Sequence, residues 1–287
     1  VTQVSPASDH AASNDHGIEL WTAPLDNAEL EDRLSLSLLS EEERERASRL
    51  RFEPDRTRFT ASRLWLRFLL AQRLRVDPSA VCLQARPGGK PEVSPPLPAS
   101  LRFSMSRSGA LGLYAFAEGS DVGVDLENRS GAPELEAVAG RFFSPPERAA
   151  LAGFADRAAP EDKLRVFYRI WTRKEAVLKA LGVGLDAPLE ALDVSGDVAS
   201  WDTSCAGVPA DRRRWFVHDL DVPPDWAGAF ATEAVVRPGE LVVRDARQLL
   251  DADRVDRRSG QVAGPLSDRP DDPLPAVTGS DSTPSPR

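Results

Sequence analysis

The chain has 287 residues, with 36 Lys+Arg against 45 Asp+Glu and a formal net charge of -9. That length suits one large domain or two smaller ones, and that acidity excludes a nucleic-acid binder working through bulk charge. Cys82 and Cys205 lie far apart without a C-x-x-C pattern, which excludes a disulfide framework and a cysteine-built zinc site.

Residues 1–16 and 255–287 are polar, rich in Ser and Asp, and read as disordered tails. Between them no apolar run reaches membrane length, and no basic-then-apolar leader opens the chain, so a cytoplasmic protein with no membrane partner is expected. GIELWTAPL reads as a first strand. Ser40 and Glu43 have capping-box spacing ahead of a helix, EEERERASRLR. Pro54 restarts the chain, and DRTRFTASRLWLRFLLAQRL has the apolar spacing of a long amphipathic helix. Short extended segments follow around VCLQAR and LRFSMS. LGLYAFA and VGVDLE, joined by the turn EGSD, carry a hairpin signal. Ser144-Pro145-Pro146-Glu147 starts another helix, with a capping Ser, Pro in the first turn and Glu three residues on. WTRKEAVLKAL lies on a further helix stopped by Gly182 and Gly184, and RRWFVHDL and WAGAFATEAVV read as late strands. Each half mixes helices with strands. The boundary is placed near Asn128, dividing 17–127 from 128–254.

Side chains with chemistry to offer cluster in a few of these segments. Of the three histidines only His218 falls among the expected elements, and no G-x-S-x-G accompanies it, so acid–base work falls to carboxylates. In VGVDLE, alternation points Val122, Val124 and Leu126 one way and Gly123, Asp125 and Glu127 the other. Two carboxylates on one strand face suit a hard divalent cation; alone, D-x-E equally describes a solvated face. Arginine is the default cation here, yet WTRKEAVLKALGVG holds two of the four lysines, Lys174 and Lys179, beside Glu175. Lys174 projects from the middle of the arc formed by Phe167, Ile170, Trp171, Val177, Leu178 and Leu181. Its plain reading is a snorkelling or ion-paired lysine, and that of Glu175–Lys179 is an i,i+4 pair. Lys90 follows two glycines without P-loop spacing. Ser106 and Arg107 bring a hydroxyl and a guanidinium, and Arg46, Arg49, Arg51, Arg56 and Arg58 form a basic cluster. The whole inventory suits phosphoryl-type transfer, in which positioning and charge neutralisation dominate.

GGKP, FSMSRS, VGVDLE, RFFSPPE and WTRKEAVLKALGVG follow the order and spacing of the Sfp-type 4′-phosphopantetheinyl transferases, and the chain resembles that family from about Ser40 to Gly184. The resemblance implies an α+β fold of two similar α/β subdomains related by a pseudo-twofold axis, monomeric, with coenzyme A and Mg²⁺ in the cleft between them. It implies transfer of the phosphopantetheine arm to a serine of an apo acyl or peptidyl carrier protein, with release of 3′,5′-ADP. By the same resemblance Asp125, Glu127 and Glu175 are Mg²⁺ ligands, Glu175 the base, and Lys179 a pyrophosphate contact. Gly88, Gly89, Lys90 and Pro91 would line the coenzyme, Ser106 and Arg107 its phosphates, and Arg46, Arg49 or Arg58 its 3′-phosphate, with Lys174 a further phosphate contact. The family has His where this chain has Arg107 and Asn where it has Ser104; an arginine there can clamp phosphate but carry no proton. A Mg²⁺-dependent hydrolase of the same pyrophosphate and a non-catalytic binding homologue are the competing readings.

Overall fold

The computed structural model describes residues 17–26, 30, 34–86, 89–130, 134–153, 159–184, 187–201, 214–237 and 239–250. The two expected tails therefore lie outside the described residues. Residues 1–247 form one compact unit; of the second, 248–287, only 248–250 are described.

The first strand, β1, runs Glu19–Pro24. Helix α1 (Glu41–Ser48) opens on the expected capping box, Ser40 Oγ accepting from the Glu43 amide and the Glu43 carboxylate accepting from the Ser40 amide. Helix α2 (Glu53–Leu74) has Pro54 in its first turn and ends at Arg75 in the left-handed conformation. It buries Leu64, Trp65, Leu66 and Leu70 completely, each such side chain contributing about 1.5–3 kcal/mol. Polar anchors fix its register: Trp65 Nε1 donates to the Pro24 carbonyl at 2.9 Å and the Tyr114 hydroxyl to the Ser62 carbonyl at 3.0 Å. The short strands β2 (Leu83–Ala85) and β3 (Pro91–Val93) pair with each other. Strands β4 (Leu101–Ser108), β5 (Leu111–Glu118) and β6 (Val122–Asn128) follow.

Helices α3 (Leu135–Phe142) and α4 (Pro145–Ala152) come next, the latter on the expected Ser144/Glu147 capping box. Helix α5 (Pro160–Leu181) is longer than the WTRKEAVLKAL signal and ends at Gly182 with φ +75°. The chain finishes with β7 (Leu192–Asp193), β8 (Val198–Trp201), β9 (Arg214–Asp219), β10 (Trp226–Thr232) and β11 (Val243–Asp245).

Among the described residues, besides the β2-β3 pair, the strands form two larger sheets, ordered β11-β1-β5-β4 and β6-β10-β9-β8-β7. This corrects the expected hairpin. LGLYAFA and VGVDLE are strands, but β5 pairs with β4 and β1 while β6 pairs with β10. The tight turn lies between β4 and β5, where Gly109 takes φ +56°, the left-handed geometry glycine permits. EGSD is a crossover between sheets. The change of sheet thus falls at 119–121, ahead of β6.

Val122, Val124 and Leu126 pack with Leu20, Leu113 and Phe230 in a core between the sheets. On the other side of β6 and β10, α5 buries Phe167, Val177 and Leu178 against Trp215, Val217 and Ala231. The helix lies hard on β6. A Cβ at Gly123 would sit 2.0 Å from the Ala176 carbonyl oxygen and 2.4 Å from the Ala180 nitrogen.

Candidate active site

That close crossing sets β6 against α5 along the strand face carrying Gly123, Asp125 and Glu127. Asp125 is buried. Its Oδ1 accepts from Lys179 Nζ at 2.6 Å and from Ser106 Oγ at 2.9 Å, and Lys179 also donates to Ser106 Oγ at 2.8 Å. Three elements, β4, β6 and α5, therefore meet at one carboxylate. Asp125 Oδ2 is buried with no hydrogen-bond partner. Glu127 accepts from Ser108 Oγ at 3.1 Å.

The three acidic groups act on one another. Burial pushes the Glu175 carboxyl up to about 7, the charges of Asp125 and Glu127 adding to it while Lys179 opposes. Burial raises Asp125, against the pull of Lys179 and Ser106. Glu127 is raised by burial and then by Asp125, opposed by Ser108, Lys179 and Trp171. Clustered carboxylates that repel, with one cation among them, are held ready for more positive charge. Among the described residues no group of three or more His, Cys, Asp or Glu side chains stands in metal-holding geometry. The donor set is nonetheless all oxygen, which suits a hard cation, and the unpartnered Asp125 Oδ2 is a lone pair in search of one.

A second cluster lies on α1, α2 and β4. The guanidiniums of Arg46, Arg63 and Arg107 stand 5.7, 5.5 and 5.6 Å from the Phe59 ring centroid. Burial, then Arg46, lowers the pKa of Arg107; burial, with Arg46 and Arg107, lowers that of Arg63 despite Glu43. Arg63 Nε is buried without a hydrogen-bond partner. Arg63 Nε lies 3.7 Å from the Glu43 carboxylate, and three like charges around one ring have the chemistry to attract an anion.

Several expected site residues are placed elsewhere. Lys174 is fully buried: its amine bonds Glu147 at 2.8 Å and the carbonyls of Leu189 and Leu192. It faces the core of the α5 half, not the cleft, which corrects its reading as a phosphate contact. Arg49 pairs with Glu45, and Arg58 with Asp26 at 2.8 Å, leaving Arg46 as the member of the trio that joins the cluster. The Lys90 amine donates to the carbonyls of Val122 and Ala180, both at 2.9 Å, so it ties β6 to the end of α5. Gly89 takes φ +84°, and a Cβ there would meet nothing within 4 Å. Pro91 opens β3, and Gly88 lies outside the described residues.

Arg63, Ser108 and Trp171 were not picked out from sequence as site residues. Arg63 carried a signal of the kind that drew attention to Lys174: a cation between buried neighbours, Ser62 and Leu64. For Ser108 the signal was the unbroken S-x-S-x-S alternation of FSMSRS.

The 4′-phosphopantetheinyl transferase superfamily pattern matches residues 121–231, and the N-terminal 4′-phosphopantetheinyl transferase pattern matches 26–118. These meet where the chain changes sheet. The chain is 38% identical over 179 residues to the 4′-phosphopantetheinyl transferase HetI of Nostoc sp., covering 62% of this chain and 73% of that protein. It is 31% identical to a 4′-phosphopantetheinyl transferase of Bacillus subtilis, covering 57% and 69%. It is also 31% identical to the human L-aminoadipate-semialdehyde dehydrogenase-phosphopantetheinyl transferase, covering 56% and 53%.

Proposed function

The chain belongs to the 4′-phosphopantetheinyl transferase superfamily, enzymes that hand a phosphopantetheine group to carrier proteins, and from that premise we propose how its cleft does so. The donor is coenzyme A, and the acceptor is a serine hydroxyl of an apo acyl or peptidyl carrier. The serine Oγ forms a bond to the β-phosphorus of the coenzyme pyrophosphate as the bond from that phosphorus to 3′,5′-ADP breaks. The observation that carries this is the meeting of Lys179 and Ser106 at the buried Asp125, with Glu127 and Glu175 close enough for the three carboxyls to act on one another.

Glu175, with its pKa at about 7, is matched to take the serine proton near neutral pH, directly or through a water. Lys179 is the mobile point charge for the pyrophosphate. A Mg²⁺ held by Asp125, Glu127 and Glu175 would supply charge neutralisation at the phosphates. Arg46, Arg63 and Arg107 bind coenzyme phosphate. Residues 89–91 offer it backbone, because the Lys90 amine is already engaged. A recess of about 540 Å³, lined by Asn128, Arg129, Leu164, Arg165 and Pro224 among others, begins one residue past Glu127 and gives the carrier serine its approach.

The pseudo-twofold relation between halves is part of this reading. Each half has a capping-box Ser and Glu opening a short helix, and each has a 22-residue helix ending in a left-handed residue, Arg75 or Gly182. Mass spectrometry on the protein mixed with coenzyme A, Mg²⁺ and an apo carrier tests the proposal. Added phosphopantetheine mass on the carrier serine is expected. Coenzyme breakdown without that adduct would make the protein a hydrolase, and no product a binding module.

A further inference from the structure

Strands β4 and β6 are end strands of different sheets, yet they lie side by side. An end strand leaves a row of amides and carbonyls needing partners. Here serines from β4 supply them. Ser104 Oγ accepts from the Val124 amide at 3.1 Å, and Ser108 Oγ accepts from the Asn128 amide at 2.9 Å. Ser106, between them, reaches Asp125 Oδ1 at 2.9 Å. Because side chains alternate along a strand, S-x-S-x-S turns all three hydroxyls to the same neighbour.

The outer serines differ in one respect. Ser104 caps a backbone amide only. Ser108 caps an amide and also donates its hydroxyl proton to Glu127 Oε2 at 3.1 Å. Its own carbonyl is held by Trp226 Nε1 at 3.0 Å, from the strand on the other side of β6. Its hydroxyl is thus fixed from both directions and aimed at the Glu127 carboxylate.

We infer that Ser108 is a positioning residue of the reaction: it orients Glu127 toward the cation that the proposed mechanism requires, through a serine seam that replaces main-chain pairing between the two sheets. The inference rests on the proposed cation role of Asp125, Glu127 and Glu175. Partners that orient a ligand are worth about 10-fold to 100-fold in metal affinity when removed.

The test compares Ser108→Ala, Ser104→Ala and Ser108→Thr in the full chain, by isothermal titration with Mg²⁺ in the presence of coenzyme A, and by the Mg²⁺ concentration giving half-maximal carrier modification. Both alanine variants remove an amide cap and should melt at similarly lowered temperatures. Only Ser108→Ala should weaken Mg²⁺ binding and raise the half-maximal concentration, by about 10-fold or more. Ser104→Ala should stay within about twofold of the parent, and Ser108→Thr, which keeps the hydroxyl, should restore binding. Equal Mg²⁺ responses from the two alanine variants, or parental Mg²⁺ affinity in Ser108→Ala, would overturn the positioning role and leave the carboxylate assignment standing. A parent protein that neither binds nor needs Mg²⁺ would overturn both.

Discussion

Glu175 lies at the edge of an apolar arc, and the fold has used that position to bury a carboxyl among two others. Its folded pKa of about 7 exceeds the ordinary glutamate value. The folded state therefore holds a proton that the unfolded state has released. Stability is fullest below about pH 4 and declines as pH climbs to about 7. Glu175→Gln should raise the melting temperature at pH 8 by roughly 4–8 °C, a gain of about 2 kcal/mol after allowing for partial exposure, and should coincide with the parent near pH 4. Carrier modification should fall below detection in the same variant. Calorimetry at the two pH values checks the first outcome. Arg107→Ala should lower coenzyme A affinity about tenfold, the worth of one charge-assisted contact, as read by titration calorimetry; unchanged affinity would remove it from the phosphate subsite. The carboxylates were legible at this scale because strand alternation alone orients Asp125 and Glu127. The plain reading of Lys174 as an ion-paired lysine holds, but its partner was not legible: helical phase says that a lysine enters the core and not what meets it there, and Glu147 comes from another helix.

Elements obey local rules until two of them compete for the same neighbour. The capping boxes, the long helices and the late strands all follow from spacing. The expected pairing of β5 with β6 does not occur, since alternation marks a strand and leaves its partner unnamed. The Ser-Gly step at 108–109 was the turn signal that mattered. The crossing of α5 over β6 makes its own prediction. Gly123→Ala requires a methyl where the Ala176 carbonyl oxygen would be 2.0 Å away, so the helix must lift from the strand. A loss of about 3 kcal/mol or more is expected, visible as a lowered urea midpoint. Turnover should fall further than stability accounts for, because Glu175 and Lys179 ride on the displaced helix. Survival of full activity would mean the crossing is looser than the contact requires.

Across the whole molecule, the active-site carboxylates lie on the α5 half and the arginine cluster on the α2 half. Connections that brace the α5 half therefore matter as much as the site. Glu147 and Lys174 are both fully buried, and the Glu147 carboxylate also accepts from the amides of Ser144 and Val194. Lys174→Met alone should cost about 3–5 kcal/mol by stranding a buried charge. Adding Glu147→Gln should recover part of that loss in chemical denaturation; a double variant no better than the single would show that the two charges do not act as a pair. The two-sheet plan was beyond reach of the sequence because the closing contact joins β1 to β11, segments near opposite ends of the compact unit.

That parallel contact, Leu20 beside Val243 and Trp21 beside Arg244, has a bearing on biosynthesis. Strand β1 cannot acquire its outer neighbour β11 until nearly the whole compact unit has been translated. A fragment stopped at 119–121 would carry a sheet with one flank bare. Supplying the remainder as a separate polypeptide should rescue its solubility.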